Sequence, residues 1–270
     1  MSAQLTSTRS QIAILDFGSQ YSHLIARRVR ELHCFCELYA CTVDVATLTR
    51  ANVTGIILSG GPASVYDEDS PHVAAGVWAL IKEKSIPVLG ICYGMQEIAH
   101  VFGGEVLPSS EREFGRAFIT KVSGNSDLVD SLLKGVENSQ MWMSHGDKVT
   151  KLPTGFETLA YTSNSENAAI GNGTSKMYGI QFHPEVTHSV QGIEILRNFV
   201  VGTCKMAADW NMRDIAEEFI KEVRETVGPE GHVIGAVSGG VDSSVAAVLL
   251  NRAIGSRYWH RTPPCVHSSV

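Results

Sequence analysis

The stretch Ile86 to Gln96, IPVLGICYGMQ, restricts how this chain can fold more than any other part of it. The apolar run Ile86 to Ile91 reads as a buried strand, and helix-like sequence runs from Met95 to Val101. Between them lies Gly90-Ile91-Cys92-Tyr93-Gly94, the G-x-nucleophile-x-G pattern of a sharp strand-to-helix turn, with cysteine at the central position. Such a turn holds its middle residue in a strained backbone conformation, and the flanking glycines let neighbouring backbone pass without a Cβ clash. A thiol placed there meets the positive end of a helix dipole, which favours the thiolate. The plain alternative is a small buried cysteine in a βα turn.

The segments around it repeat the same grammar. Gln11 to Phe17 is a short apolar strand, Gly18-Ser19-Gln20 a loop, and Tyr21 to Leu32 a helix. Cys34 to Tyr39 suits a second strand, and Val53 to Leu58 a third that stops at Ser59-Gly60-Gly61-Pro62, before a helical stretch from Ser70 to Lys84. Strand and helix in alternation predict an α/β fold, an open and mostly parallel sheet flanked by helices. In such sheets sites form at the carboxyl ends of the strands, where Gly60-Gly61 and Cys92 both fall. The glycine pair is either an anion cradle built from backbone N–H groups or a tight turn. Cys34-Phe35-Cys36 has no second Cys/His pair at ligand spacing and reads as strand packing.

Gly103 to Lys121 is irregular, with Glu111 to Arg116 as a charged loop or edge. Ser144-His145-Gly146-Asp147 reads as a turn at the rim of a site, because the members of a hydrolytic triad converge from separate elements. Met177 to Phe182 is a strand that delivers His183-Pro184-Glu185. In an extended segment residues two apart share a side, so His183 and Glu185 are placed as a base and its orienting carboxylate. A helix from Val190 to Val201 closes this first domain. After an amphipathic helix, Asn211 to Val227, the strand His232 to Val237 runs into Ser238-Gly239-Gly240-Val241-Asp242-Ser243-Ser244 and a helix to about Ile254. Strand, glycine-serine loop and helix N-terminus make an anion site suited to pyrophosphate, with Asp242 positioned to hold an accompanying metal ion. It lacks the lysine of a Walker A loop.

Composition narrows the function classes. With 270 residues, 44% hydrophobic and 19% charged, the chain is long enough for one large or two ordinary domains and has the composition of a globular protein with an ample core. A net charge of −6 without a dense Lys/Arg cluster argues against a nucleic-acid surface. The polar N-terminus and the absence of a membrane-length apolar run argue against secretion and membrane insertion. Six irregularly spaced cysteines fit a reducing cytoplasm better than a disulfide framework.

Residues 11 to about 205 resemble a class I, triad-type glutamine amidotransferase domain, whose fold is flavodoxin-like. The matching pieces are Ile14 to Gln20, Leu58 to Pro62, Gly90 to Gln96 and Gln181 to Val186. Ser238 to Ser244 resembles the phosphate loop of the N-type ATP pyrophosphatases. The two modules in this order, with the segments ILDFGSQY, EFGRA and MWMSHGDKV, are similar to the glutamine-hydrolysing GMP synthetases. The resemblance implies Cys92, His183 and Glu185 as catalytic, Gly61 and Tyr93 as oxyanion donors, and Gln96 as a glutamine ligand. It implies Ser238, Gly239, Gly240, Val241, Asp242, Ser243 and Ser244 as the ATP-phosphate site. Asp242 would take Mg²⁺, and no organic cofactor is expected. Glutamine, ATP and XMP are the implied partners, in a cytoplasmic ligase that is a homodimer in the full-length family.

Four regions are expected: a tail (1–10), the amidotransferase domain (11–205), the incomplete start of a pyrophosphatase domain (206–255) and an atypical, structureless tail (256–270). On that expectation the chain is C-terminally truncated and lacks the dimerisation region. It then holds the glutaminase half of the enzyme, or acts as a stand-alone glutaminase subunit, or is a silent fragment.

Overall fold

The computed structural model describes residues 9–123 and 126–261, so the sequence expectations for 1–8 and 262–270 lie outside the described residues. The described chain divides into two units between Asp209 and Trp210.

The first unit begins with β1 (Gln11–Asp16), α1 (Ser22–Glu31), β2 (Cys36–Ala40), α2 (Val45–Arg50) and β3 (Val53–Leu58). It continues with α3 (Ala75–Lys84), β4 (Val88–Ile91), α4 (Tyr93–Val101), β5 (Glu105–Phe118), β6 (Thr120–Lys121), α5 (Ser126–Leu133) and β7 (Gln140–Lys151). β8 (Glu157–Tyr161), β9 (Ala169–Asn172), β10 (Met177–Ile180) and α6 (Gly192–Arg197) complete it, α6 running on as a π-helix over Asn198–Thr203. Eight described strands form one sheet in the order β2-β1-β3-β4-β10-β9-β8-β6. The pairings from β2 to β10 are parallel and those from β10 to β6 antiparallel.

Both faces of the parallel part are covered. Along β1, Ile12 and Ile14 belong to one apolar cluster and Ala13 and Leu15 to the other. The first cluster takes Ile25 and Val29 of α1 with Ile195, Leu196 and Phe199 from the end of the unit. The second takes Val77 and Ile81 of α3 with Met95 and Ile98 of α4. Burial on both sides is why these strands read as unbroken apolar runs.

In this unit three expectations need correction. Residues 103–121 are not irregular: β5 is a fourteen-residue strand, antiparallel to β7 in a separate two-stranded ribbon. Pro108 and the charged run hid it, since this ribbon leaves Phe114 and Phe118 exposed while Met141 and Met143 face the core. Ser144 to Asp147 are therefore strand residues of β7, not a turn. The helix expected from Ser70 starts at Ala75, because Val73 N–H is held by the Glu97 carboxylate and Ala74 keeps an extended ψ of 136°.

The second unit contains α7 (Met212–Val227), β11 (Val233–Ala236), α8 (Val241–Ile254) and β12 (Tyr258–Arg261). β12 pairs parallel with β11, so the structureless reading fails over these residues. Tyr258 and Trp259 are strong strand formers, and four residues are too few to display alternation. Ile220, Ala253, Ile254 and Tyr258 make its small core, while Ile234 and Trp259, paired in register, stay exposed.

Candidate active site

Cys92 caps α4 with φ 52° and ψ −104°, a conformation that L-residues rarely adopt. Two lines of backbone force it. Cys92 N–H donates to Ile180 O at 2.7 Å, which ties the end of β4 to the end of β10, and Gly94 N–H donates to Ser59 O at 3.1 Å, which ties α4 to the end of β3. The glycines are required by space: a Cβ on Gly90 would fall on the Gly94 carbonyl, and one on Gly94 would sit 2.5 Å from Leu58 O.

The register of β10 against β4 then fixes the next group. Ile180 pairs with Ile91, so residues 181–186 start beside Cys92. His183 Nδ1 lies 2.8 Å from Glu185 Oε1, and both side chains are buried. Burial alone would push the imidazole towards its neutral form, but the Cys92 hydrogen bond and the Glu185 hydrogen bond and charge outweigh it. They raise His183 to about 10. An imidazole held protonated beside a thiol is the arrangement that supports a thiolate-imidazolium pair. The segment is anchored from three sides: His183 N–H donates to Trp142 O at 2.9 Å, Ser189 Oγ donates to His183 O, and Arg28 Nε donates to Glu185 O at 2.9 Å. Tyr21 adds an edge-on ring contact to His183.

The glycine pair ends β3 at the same place. A Cβ on Gly60 would be 3.2 Å from His183 Cε1 and 3.8 Å from Cys92 Cβ. One on Gly61 would be 2.9 Å from Phe17 O and 3.4 Å from the Tyr93 ring. Tyr93 N–H lies in the first turn of α4, where amides have no intrahelical acceptor. Gly61, Cys92, Gln96 and His183 all line one cleft of about 730 Å³. Gln96 Nε2 donates to Asp147 O at 3.0 Å across it.

Sequence reading gave the other wall no chemical role. His145 follows Met141 and Met143 at inward-facing positions of β7, and Glu113 is its partner in register on β5. A polar side chain at a core position needs a partner. His145 Nε2 lies 2.9 Å from Glu113 Oε2, and Thr162 Oγ1 donates to Glu113 Oε1 at 3.1 Å. Burial would raise the Glu113 carboxyl, but the His145 hydrogen bond and charge and the Thr162 hydroxyl hold it below its ordinary value. Asp147 accepts from Ser64 Oγ at 2.5 Å and Tyr66 OH at 3.0 Å, tying the segment after β3 to β7. The inward M-x-M-x-H alternation was the available signal for His145.

In the second unit, Ser238 to Ser244 span the turn from β11 into α8. Gly239 has φ 86°, Ser238 Oγ lies 3.0 Å from Ser243 Oγ, and Ser243 and Ser244 hydroxyls return to Gly240 O. Asp242 stands exposed in the first turn of α8. Among the described residues no group of three or more His, Cys, Asp or Glu could hold a metal ion. A single carboxylate fits only an ion whose other ligands are phosphate oxygens and water, the usual Mg²⁺ arrangement. No helix of the described residues is long and apolar enough to cross a membrane.

Comparison with known proteins supplies the family. Residues 13–203 match the family Glutamine amidotransferase class-I. The GMP synthase [glutamine-hydrolyzing] of Candida albicans is 49% identical over 247 residues, 92% of this chain and 45% of that protein. The Saccharomyces cerevisiae protein of the same name is 48% identical over 255 residues, 94% of this chain and 47% of its own. The chain thus spans slightly less than half the length of these curated relatives. Among solved structures, a candidate GMP synthase subunit from Thermoplasma acidophilum superposes with a TM-score of 0.64 at 28% identity, covering 74% of this chain and 96% of that one. A glutamine amidotransferase from Thermotoga maritima, at 22% identity and a TM-score of 0.52, shares the fold over 93% of this chain and all of its own. With a family match over most of its length, a mostly parallel sheet and a cysteine elbow facing a buried His–Glu pair, the chain belongs to the class-I glutamine amidotransferases.

Proposed function

We propose that the first unit hydrolyses glutamine and supplies ammonia for the conversion of XMP to GMP, in the cytoplasm. The observation that carries the reading is Cys92, held at a positive φ at the head of α4 against the buried His183–Glu185 pair. Cys92 Sγ attacks the side-chain amide carbon of glutamine, and the thiol proton resides on His183. Gly61 N–H and Tyr93 N–H receive the negative charge on the oxygen of the tetrahedral intermediate. His183 returns the proton to the departing nitrogen, so ammonia leaves and a glutamyl thioester remains. Water, deprotonated by His183, then cleaves the thioester to glutamate and free Cys92. Glu185 stays ionised behind the imidazolium, and Gln96 binds the substrate.

In the second unit, Ser238 to Ser244 bind the phosphates of ATP, with Asp242 as the protein ligand of Mg²⁺, which neutralises phosphate charge when bound. The family reaction adenylylates the O2 of XMP and releases pyrophosphate, and ammonia displaces AMP. The support here is the loop geometry and the relatives' printed activity. A second reading, a stand-alone glutaminase subunit serving a separate synthetase, is favoured by the Thermoplasma acidophilum protein, matched almost end to end.

Ammonia release from glutamine by the purified chain, with and without ATP and XMP, tests both. Cys92→Ala is expected to lower it by roughly 10⁴-fold. Release that survives the substitution would refute the assignment. Stimulation by ATP and XMP supports a working second unit, whereas none without an added synthetase supports the subunit reading.

A further inference from the structure

One buried polar side chain at the elbow takes no part in that mechanism. Gln181 follows β10 directly and is fully buried, with its backbone N–H on Ala168 O at 2.9 Å. Its side-chain Nε2 lies 3.7 Å from Cys92 Sγ, within the reach of an N–H···S hydrogen bond. Its Oε1 has no hydrogen-bond partner among the described residues. A buried amide oxygen left unpaired destabilises a fold by about 1–3 kcal/mol, so its retention needs a reason.

The surroundings of the sulfur give one. Cys92 Sγ faces Ser144 O at 3.7 Å, an acceptor that suits a thiol and repels a thiolate. His183, with Glu185 behind it, is the titratable group that faces the sulfur from the segment after β10. His145, paired with Glu113, and Asp147 reach the same cleft from the β5–β7 ribbon. The Gln181 N–H is a neutral donor aimed at the sulfur, and it opposes the Ser144 carbonyl. Hydrogen bonding to the charged form of a group favours that form. The same donor favours thiolate departure when the tetrahedral intermediate of thioester hydrolysis collapses.

We infer that Gln181 is a positioning residue for the proposed glutaminase, whose side-chain N–H stabilises the Cys92 thiolate against the neighbouring Ser144 carbonyl. The inference rests on the reading of Cys92 as the nucleophile, and its test does not need turnover. The rate of Cys92 alkylation by iodoacetamide is measured against pH for the unsubstituted chain, Gln181→Met and Gln181→Glu. Methionine keeps the length and loses the donor, and its half-maximal pH should rise by about one unit, the size expected for a hydrogen bond to a charged group. Glutamate should move it further up. In the hydrolysis assay Gln181→Met should lower kcat several-fold with KM for glutamine nearly unchanged.

A methionine profile that overlays the unsubstituted one, even with a lower melting temperature, overturns the proposal. Should both variants fail to fold, the Gln181 side-chain amide resonance of the unsubstituted chain decides. It should move as Cys92 ionises and again on alkylation, and a resonance indifferent to both overturns the proposal. If the unsubstituted chain releases no ammonia, the glutaminase reading fails while the alkylation profiles still answer for Gln181.

Discussion

Gly94→Ala isolates the packing that presents Cys92. Gly94 has an ordinary φ, so alanine there meets no backbone strain, and the effect is steric. The added Cβ would lie 2.5 Å from Leu58 O, 2.6 Å from Leu58 Cβ and 2.9 Å from Leu58 C. Normal contact needs about 3.4 Å or slightly more, so α4 and the end of β3 must part by roughly 0.5–1 Å, the scale of overpacking that destabilises by about 1–3 kcal/mol. In a unit of this size that lowers the melting temperature by about 3–10 °C. The same displacement carries Cys92 and the Tyr93 N–H away from Gly61 and His183, and misplacement by about 1 Å lowers turnover by roughly 100-fold. Gly202→Ala is the matched control, because a Cβ there meets nothing within 4 Å. In a helical position it should leave stability level or raise it by up to about 1 kcal/mol, with hydrolysis unchanged. Thermal melting and glutamine hydrolysis are read on both variants. A Gly94→Ala chain that melts and turns over like the unsubstituted protein would refute the claim that backbone contact between α4 and β3 sets the site.

Two further outcomes follow from charged groups in and behind the cleft. His183, raised to about 10 in the fold, contributes stability that is whole below about pH 6.5 and is lost as pH climbs through 10. Glu113, held low, contributes stability present above its unfolded value and lost as pH falls through its folded one. Melting temperature against pH should therefore fall at both extremes, Glu185→Gln flattening the alkaline side and Glu113→Gln the acid side; profiles unaltered by either change would count against these pairings. Asp147→Ala removes the acceptor of Ser64 and Tyr66 and frees the segment that walls the cleft, so KM for glutamine should rise roughly tenfold with a smaller change in kcat. An unchanged KM would show that this wall does not shape the substrate site.

The sequence was most legible where one local stretch carries both the chemistry and the backbone geometry. The elbow is such a place, because G-x-C-x-G names the strained residue and the two clearances together. His183 and Glu185 were legible for the same reason, the spacing of two falling within one short segment. The β5–β7 ribbon was not, since its pairing of Glu113 with His145 joins residues 32 apart through strand register. No local periodicity announces a register, and Pro108 with the charged run masks β5. The continuation of α6 as a π-helix was also invisible, because apolar Phe199 and Val200 fit any helical winding. Gln181 stood in plain view within a matched segment, yet its approach to Cys92 depends on β10 lying beside β4, which only the sheet order supplies.

The site concentrates local disadvantage, and the rest of the unit explains how it is tolerated. Cys92 sits at a backbone conformation that destabilises by about 1–3 kcal/mol, and on the segment after β10 Gln181 Oε1 and Glu185 Oε2 are buried without hydrogen-bond partners among the described residues. Each of these could relax if the ends of β3, β4 and β10 were free to move. They are not free, because the strands are buried on both faces by separate apolar clusters and stitched by Cys92 N–H to Ile180 O and Gly94 N–H to Ser59 O. The sheet changes from parallel to antiparallel pairing at β10, the strand whose end carries Gln181, His183 and Glu185. Beyond β10 the chain need not continue a βα repeat, so residues 181–186 can cross the ends of the strands rather than enter a helix. An ordinary sequence for a double-sided core thus holds, at one end, a short segment whose sequence would not keep this geometry alone. That division explains why the arrangement of Cys92, His183 and Glu185 depends on glycines and backbone contacts as much as on the three side chains themselves.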